Sequence, residues 1–166
     1  MHKRILIVLP ILLFTLNSCN DISYEDRLFI KELGSSSLME VKISQLALQK
    51  TSNEKILEFA HLMINQYNQF SEEYIHLLKK INENITIVLN DKNNQVVNDL
   101  SKLNGDAFEK KYVADVASDY TNTIQQFNIA LKNAKNDDYK KFLQHRIKFT
   151  KRYYELAKKL HEATVQ

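Results

Sequence analysis

The sequence is poor in turn-forming residues and has no tryptophan: its 166 residues include two glycines and one proline. Folds rich in β-strands place glycine and proline in many turns, whereas long helices need few of either. The composition therefore favours an all-α fold. With only Gly34 and Gly105 available, the sequence also excludes a glycine-rich phosphate-binding loop and a Gly-x-Ser-x-Gly nucleophile elbow.

A strong charge of either sign is also missing. The formal charge of the chain is +3, and the first 18 residues hold two of the positive charges, Lys3 and Arg4, so the remainder carries +1. Nucleic-acid-binding domains usually carry a basic patch or stripe. We therefore expect no nucleic-acid partner.

The apolar content of 44% suits a globular chain with one core that needs neither disulfides nor a structural metal.

Cysteine occurs once, at Cys19. An exported protein with one cysteine cannot form an internal disulfide, so the thiol needs another explanation. Residues 2–4 are His-Lys-Arg, and residues 5–14 form an apolar run that contains one proline. This run is shorter than the roughly 20 residues that a membrane-spanning helix needs, and it has the length of a signal-peptide core. The N-terminus is therefore predicted to be an export signal.

Leu16-Asn17-Ser18-Cys19 resembles a bacterial lipobox. The resemblance implies cleavage before Cys19 and acylation of its thiol and new amine, and Asn20 resembles an outer-membrane address. The alternatives are an ordinary signal peptide with a chance cysteine, or an N-terminal membrane anchor. We predict a signal peptide over residues 1–18, a lipidated cysteine and tether over 19–24, and a helical domain over 25–166. The membrane is then a partner through the lipid, and the protein is expected in the cell envelope, at the outer membrane.

The mature chain begins with a predicted helix over residues 24–50. Ser23 is a suitable N-cap, with Asp26 three residues on. Gly34, followed by three serines, is expected to kink or break this helix.

A second helix is predicted over residues 52–81, with Thr51-x-x-Glu54 as its capping box. Its apolar residues alternate at spacings of four and three without a break, which is a heptad pattern. They are Ile56, Ala60, Met63, Tyr67, Phe70, Tyr74, Leu77 and Ile81.

An asparagine-rich connection follows, with a short helix near residues 95–103 that Asn104-Gly105 is expected to end. A third long helix is predicted over residues 107–134. Its inward face is expected to carry Phe108, Tyr112, Val116, Asp119, Thr123, Phe127, Ala130 and Ala134.

The last helix is predicted over residues 138–163, with a wide apolar face that Arg146 interrupts. We expect Arg146 to extend to the edge of the core. Four long amphipathic helices predict a four-helix bundle. The long connection before the third long helix favours a ferritin-like topology over strict up-down order.

Several short motifs resemble a bacterial outer-membrane protein family known as domain of unknown function 4142. They are Met39-Glu40-Val41 with Leu46-Ala47, Phe59-Ala60-x-x-Met63, Leu100 to Gly105 followed by Phe108 and Tyr112, and Leu156-Ala157-x-x-Leu160. The similarity covers roughly residues 26–160. It implies an exported, ferritin-like four-helix bundle whose biochemical role is undefined.

The same resemblance implies a cluster of acids and histidines inside the bundle. Family members often carry Asp-His where this chain has Gln66-Tyr67 and Asp119-Tyr120, and a histidine at Tyr153. Glu40 and Asp119 remain as candidate metal ligands, and tyrosine stands in place of each histidine. Neutral tyrosine is a poor ligand for zinc or ferrous iron.

Asp119 falls on the predicted inward face, and a buried carboxyl must be paired, hydrogen-bonded or protonated. We predict a polar core made of Glu40, Tyr67, Asp119, Tyr120 and Tyr153. One interpretation is a structural hydrogen-bond network, and the other is a pocket for a metal or small ligand. Glu73-x-x-His76 resembles a metal-binding pair, but the heptad phase places it at the surface.

No catalytic set is found, so we expect a non-enzymatic envelope protein with a role in interaction or stress tolerance. The alternative is a ferritin-like protein that binds a metal or small ligand through Glu40 and Asp119. No cofactor is expected beyond that metal ion. A third hypothesis is an adaptor that pairs with another envelope protein through an exposed apolar patch.

Overall fold

The computed structural model describes residues 21–165 and contains five α-helices, with no strand in that range. This confirms the all-α prediction. The helices are α1 (Tyr24–Lys50), α2 (Glu54–Lys80), α3 (Asp91–Ser101), α4 (Gly105–Asn133) and α5 (Asp137–Val165). Four of them are long, and α3 is the short extra helix, which begins earlier than the sequence suggested.

Helix α1 begins as predicted and does not break. The Ser23 side chain accepts a hydrogen bond from the backbone of Asp26, and the Asp26 carboxylate accepts from Ser23 in return. The helix is continuous through Gly34, so the prediction of a break there is wrong. A Cβ at Gly34 would lie 3.0 Å from the Tyr74 hydroxyl oxygen. Glycine therefore serves close packing at this position, and helices tolerate one glycine at a modest cost.

The predicted capping box of α2 is also wrong. Asn53 is the N-cap, and its side chain accepts from the backbone of Lys55. The Thr51 hydroxyl accepts from the backbone of Asn53 and donates to Glu109 of α4. Because Thr51 also follows the last turn of α1, it belongs to the turn between the helices and not to the start of α2.

Contacts at the two ends establish the direction of each helix. The Lys50 ammonium, at the end of α1, donates to the carbonyls of Ser101 and Leu103 at 2.8 Å each, just before α4 begins. At the opposite end, Lys80 of α2 pairs with Asp138 of α5 at 2.9 Å. Helices α1 and α5 therefore run one way and α2 and α4 the other.

Each long helix packs antiparallel against its two neighbours around the ring α1, α2, α5, α4. The connection between α2 and α4 returns along α1: Glu83 pairs with Arg27, and the backbone N–H of Asn90 donates to the Ser35 hydroxyl at 2.9 Å. This crossover gives the ferritin-like order, as the length of the connection predicted.

The core consists of two apolar clusters. The proximal cluster lies near the start of α1 and comprises Ile22, Ile30, Leu33, Phe70, Tyr74, Leu77, Leu78, Phe127, Ala130, Ala134, Tyr139, Phe142, Leu143 and Ile147. The distal cluster lies at the other end and comprises Met39, Ile43, Ala47, Ile56, Phe59, Ala60, Met63, Leu100, Phe108, Tyr112, Val113, Val116, Tyr120, Tyr153, Ala157 and Leu160. Both clusters lie between residues 22 and 160, so we expect the chain from Asn20 to Gln166 to fold on its own.

The buried face of α4 differs from the prediction in its middle. Val113 and Tyr120 are buried, whereas Asp119 and Thr123 are only partly buried. The helix is rotated slightly, so that Tyr120 enters the core and Asp119 lies at the side that faces α1.

No helix between residues 21 and 165 is long and apolar enough to cross a membrane.

Candidate functional site

A polar layer lies at mid-height between the two clusters, and each long helix contributes to it. Glu40 comes from α1, Gln66 from α2, Asp119 and Tyr120 from α4, and Arg146 from α5. Glu40 directly follows Met39, which is buried in the distal cluster. The helical repeat therefore directs it to the boundary of the core and not to open solvent.

The carboxyl groups of Glu40 and Asp119 are hydrogen-bonded to each other. Burial, followed by the negative charge of Asp119, raises the pKa of Glu40 well above its usual range. Burial raises the pKa of Asp119 to about 6, while its hydrogen bond with Glu40 acts in the opposite direction. Two carboxyls in such close contact do not both ionise easily, so the pair shares one proton near neutral pH.

The Tyr120 hydroxyl ties this pair to the distal cluster. Its oxygen lies 3.4 Å from Glu40 Oε2 and 2.7 Å from the Met63 sulfur, so its single hydrogen can be donated to either acceptor. Burial, reinforced by the charge of Glu40, raises the pKa of Tyr120 well above its usual range. Tyr120 is therefore a neutral hydrogen-bond donor within the layer.

Arg146 lies inside the bundle, so the prediction that it reaches the edge is wrong. Its side chain is 12% exposed, and its guanidinium carbon lies 5.0 Å from the centre of the Phe70 ring. One guanidinium nitrogen is 3.6 Å from Glu73 Oε2, and the positive charge offsets part of the rise that burial and Asp119 cause in the pKa of Glu40. The aromatic ring and the carboxyls stabilise a cation that would otherwise be costly to bury.

A small cavity of about 30 Å³ lies at the centre of the layer, and Glu40, Tyr67, Tyr120 and Tyr153 are among its lining residues. Gln66 and Arg146 also line it. Gln66 Oε1 and Arg146 Nε are buried and have no hydrogen-bond partner within the described residues. The volume is enough for a water molecule or a monatomic ion and too small for an organic ligand.

The side chains of the layer fit a metal cluster poorly. Between residues 21 and 165, no group of three or more histidine, cysteine or acidic side chains is placed to hold a metal ion. The Glu40–Asp119 pair offers two carboxyls, and Arg146 already supplies a positive charge beside Glu40. A di-metal carboxylate site needs more acids and histidines directed inward from several helices.

The structure brings the predicted polar core together. Four of its five residues line the cavity, and the fifth, Asp119, contacts Glu40 from the α1–α4 side. The predicted lipidation site Cys19 lies outside the described residues.

The Glu73–His76 pair does not point into the layer. His76 is exposed, and Glu73 lies beside His145 Nδ1 at 3.3 Å.

Sequence reasoning missed Gln66 and Arg146. For Arg146 the signal was its place within the apolar face of the last helix. A charged side chain at such a position is rarely buried unless it has a partner, here on another helix. Glu40 and Asp119 were the candidates for that partner.

A family model described as "Domain of unknown function (DUF4142)" matches residues 15–160. No curated protein and no solved structure is significantly similar to the chain. The family match spans all four long helices except the last turn of α5.

Proposed function

The chain belongs to the family of domain of unknown function 4142, and from this membership we propose that it is a lipid-anchored protein of the cell envelope with a non-enzymatic role in interaction or stress tolerance. The lipobox-like sequence ending at Cys19 supports the lipid anchor. Asn20 supports the outer membrane as its location. The self-contained bundle that follows supports a domain displayed from the membrane on a short tether.

The observation that carries the non-enzymatic role is that Glu40, Asp119 and Tyr120 are bonded to one another within the polar layer. Glu40 and Asp119 hydrogen-bond to each other, and the Tyr120 hydroxyl donates to Glu40. Arg146 compensates the negative charge. Groups that are bonded to one another in this way specify how a core packs, and none of them is an activated nucleophile.

A Cys19→Ala variant tests the anchor. It should lose acylation, and the domain should be released from membranes by a carbonate wash. Ser18→Ala keeps a small residue before the cysteine and should remain acylated, which controls for damage to export. If Cys19→Ala stays membrane-bound after washing and is still cut at the same bond, the lipid-anchor proposal is wrong.

A second candidate function is binding of a metal or small ligand at Glu40 and Asp119. The unpaired Gln66 Oε1 at the cavity favours it, because an amide oxygen can ligate a metal ion, whereas the unpaired Arg146 Nε is an N–H donor that suits a water molecule or an anion. The test is the metal content of the chain from Asn20 to Gln166, purified without chelators or metal-binding tags and measured by mass spectrometry. About one equivalent of metal that is lost in Asp119→Asn would favour this candidate. Protein that is helical and metal-free would oppose its metal form.

A further inference from the structure

A long groove opens on the side of the bundle where α1 and α4 face each other. The first half of α1, residues 88–92 of the connection and the second half of α4 enclose about 1030 Å³. Leu28 of α1 and Val88 of the connection line it and are 50% and 54% exposed. Such exposure of large apolar side chains at one concave site is typical of a surface that binds something.

Asp119 gives this groove a charged floor. It lines the groove while its carboxyl contacts Glu40, so the groove reaches the polar layer from outside. Within the described residues Asp119 has no ion-pair partner inside 4 Å, and Lys92 acts on it only through a longer-range attraction. Glu25 and Glu32 add negative charge along the α1 wall.

We propose that the groove binds a cationic amphiphile, a protonated amine whose ammonium group pairs with the Asp119 carboxylate while its hydrocarbon chain packs on Leu28 and Val88. The volume is at the upper limit of small-molecule sites. The apolar part of the groove, formed by Leu28, Phe29, Leu33, Val88 and Leu89, lies beside polar and charged lining residues, so the site suits a molecule with both a hydrocarbon chain and a charged group. This proposal rests on the proposed function, because the cell envelope is where the protein would meet such an amine. Binding of such amines would be the chemical basis of the proposed role in stress tolerance.

An anionic amphiphile fits the groove less well. The four other charged residues of the groove, Glu25, Lys31, Glu32 and Lys92, are all exposed, and their charges balance, so the partly buried Asp119 sets the sign of the floor. An acidic headgroup at the floor would lie beside Asp119 and near Glu32, and like charges in a partly desolvated site repel. Charge complementarity therefore selects the amine.

The test is a calorimetric titration of the unlipidated chain from Asn20 to Gln166 with decylamine, decanol and decanoate, the two ionic probes below their micelle concentrations and decanol below its solubility limit. Decylamine should bind at about one equivalent and about tenfold more tightly than decanol, as a charge-assisted hydrogen bond allows. Asp119→Asn should remove that preference. Asp106→Asn, an exposed acid at the far end of α4, should keep it.

A second pair of variants probes the walls independently of the charge. Leu28→Ser should weaken decylamine binding severalfold, whereas Leu156→Ser, another exposed leucine outside the groove, should not. Equal or tighter binding of decanoate, no binding of any probe, or a preference for the amine that survives in Asp119→Asn would each overturn the proposal. Membrane release of Cys19→Ala is a separate result, so location and ligand can fail independently.

Discussion

The two apolar clusters and the polar layer between them are built by the same four helices but obey different physical constraints. The clusters bury residues such as Phe127 and Phe108, which are at most 1% exposed, and each buried side chain adds to stability. The layer holds two carboxyls and a guanidinium in partly buried positions, and replacing such groups with apolar side chains of similar size is often neutral for stability. The clusters therefore explain why the chain folds. The layer is where a role beyond folding is to be sought.

The largest expected effect lies in a cluster. Phe127 is 1% exposed and makes an edge-to-face contact with Phe29 at a ring distance of 5.6 Å. Phe127→Ala should lower the free energy of unfolding by about 3–5 kcal/mol, because it removes apolar burial and leaves a cavity. Urea unfolding measures this. Leu156→Ala, at a site 36% exposed, is the control and should cost under about 1 kcal/mol. Equal costs would mean that the proximal cluster is not a packed core.

The next largest effect concerns the polar layer, where ionisation of the carboxyls is expected to lower the free energy of unfolding. Because the pKa values of Glu40 and Asp119 are raised in the folded protein, the native state holds protons that the unfolded chain has already released. The free energy of unfolding should therefore fall as pH rises from the unfolded values near 4 through the folded pKa of Asp119 at about 6. From pH 5 to pH 8 we expect a loss on the order of 1–3 kcal/mol.

Variants assign that pH dependence to the layer. Asp119→Asn should remove much of it, because one carboxyl of the pair no longer ionises. Asp106→Asn, which is exposed, should leave it unchanged. The groups that face Asp119 are Glu40 and Glu32 of α1, Lys92 of α3 and Asp115 of α4, with Arg146 of α5 acting on Glu40. A flat stability profile in the unsubstituted protein would contradict the shared proton.

The smallest effect tests close packing in the proximal cluster. Gly34→Ala gains helix propensity, but its Cβ would meet the Tyr74 hydroxyl, which donates to the Ile30 carbonyl at 2.9 Å and is fully buried. We expect a net loss of about 1 kcal/mol from these opposing terms. In a Tyr74→Phe background the same change should cost less, since the contacting oxygen is gone. A double-mutant cycle in thermal unfolding measures the difference, and a coupling of zero would contradict the contact.

The sequence predicted the clusters well because helical periodicity reports which face of a helix is buried. Six of the eight residues in the α2 pattern are buried, and Tyr67 and Ile81 are partly buried. The ferritin-like order also followed from the length of the connection before α4. The hydrogen-bond partners of individual side chains were harder to predict. Thr51 has the right spacing for a cap, but its hydroxyl donates to Glu109, a residue on another helix.

Only part of the polar layer could be predicted, because its contacts also join residues on different helices. Periodicity placed Glu40 and the three tyrosines near the core. It could not show what faces Arg146, because that depends on how α5 sits against α1 and α2. The guanidinium stays inside because Phe70 and the carboxyls surround it, and these contacts join residues far apart in the sequence.

The most direct test of the central claim, a carboxyl pair that shares one proton inside the polar layer, is an NMR titration of the side-chain carboxyl carbons of Glu40 and Asp119 in the chain from Asn20 to Gln166. We predict that both titrate above the range of the exposed acids, with Asp119 near pH 6, and that Asp119→Asn removes the negative neighbour and lowers the pKa of Glu40. Two independent titrations near pH 4, unchanged by the substitution, would contradict the account.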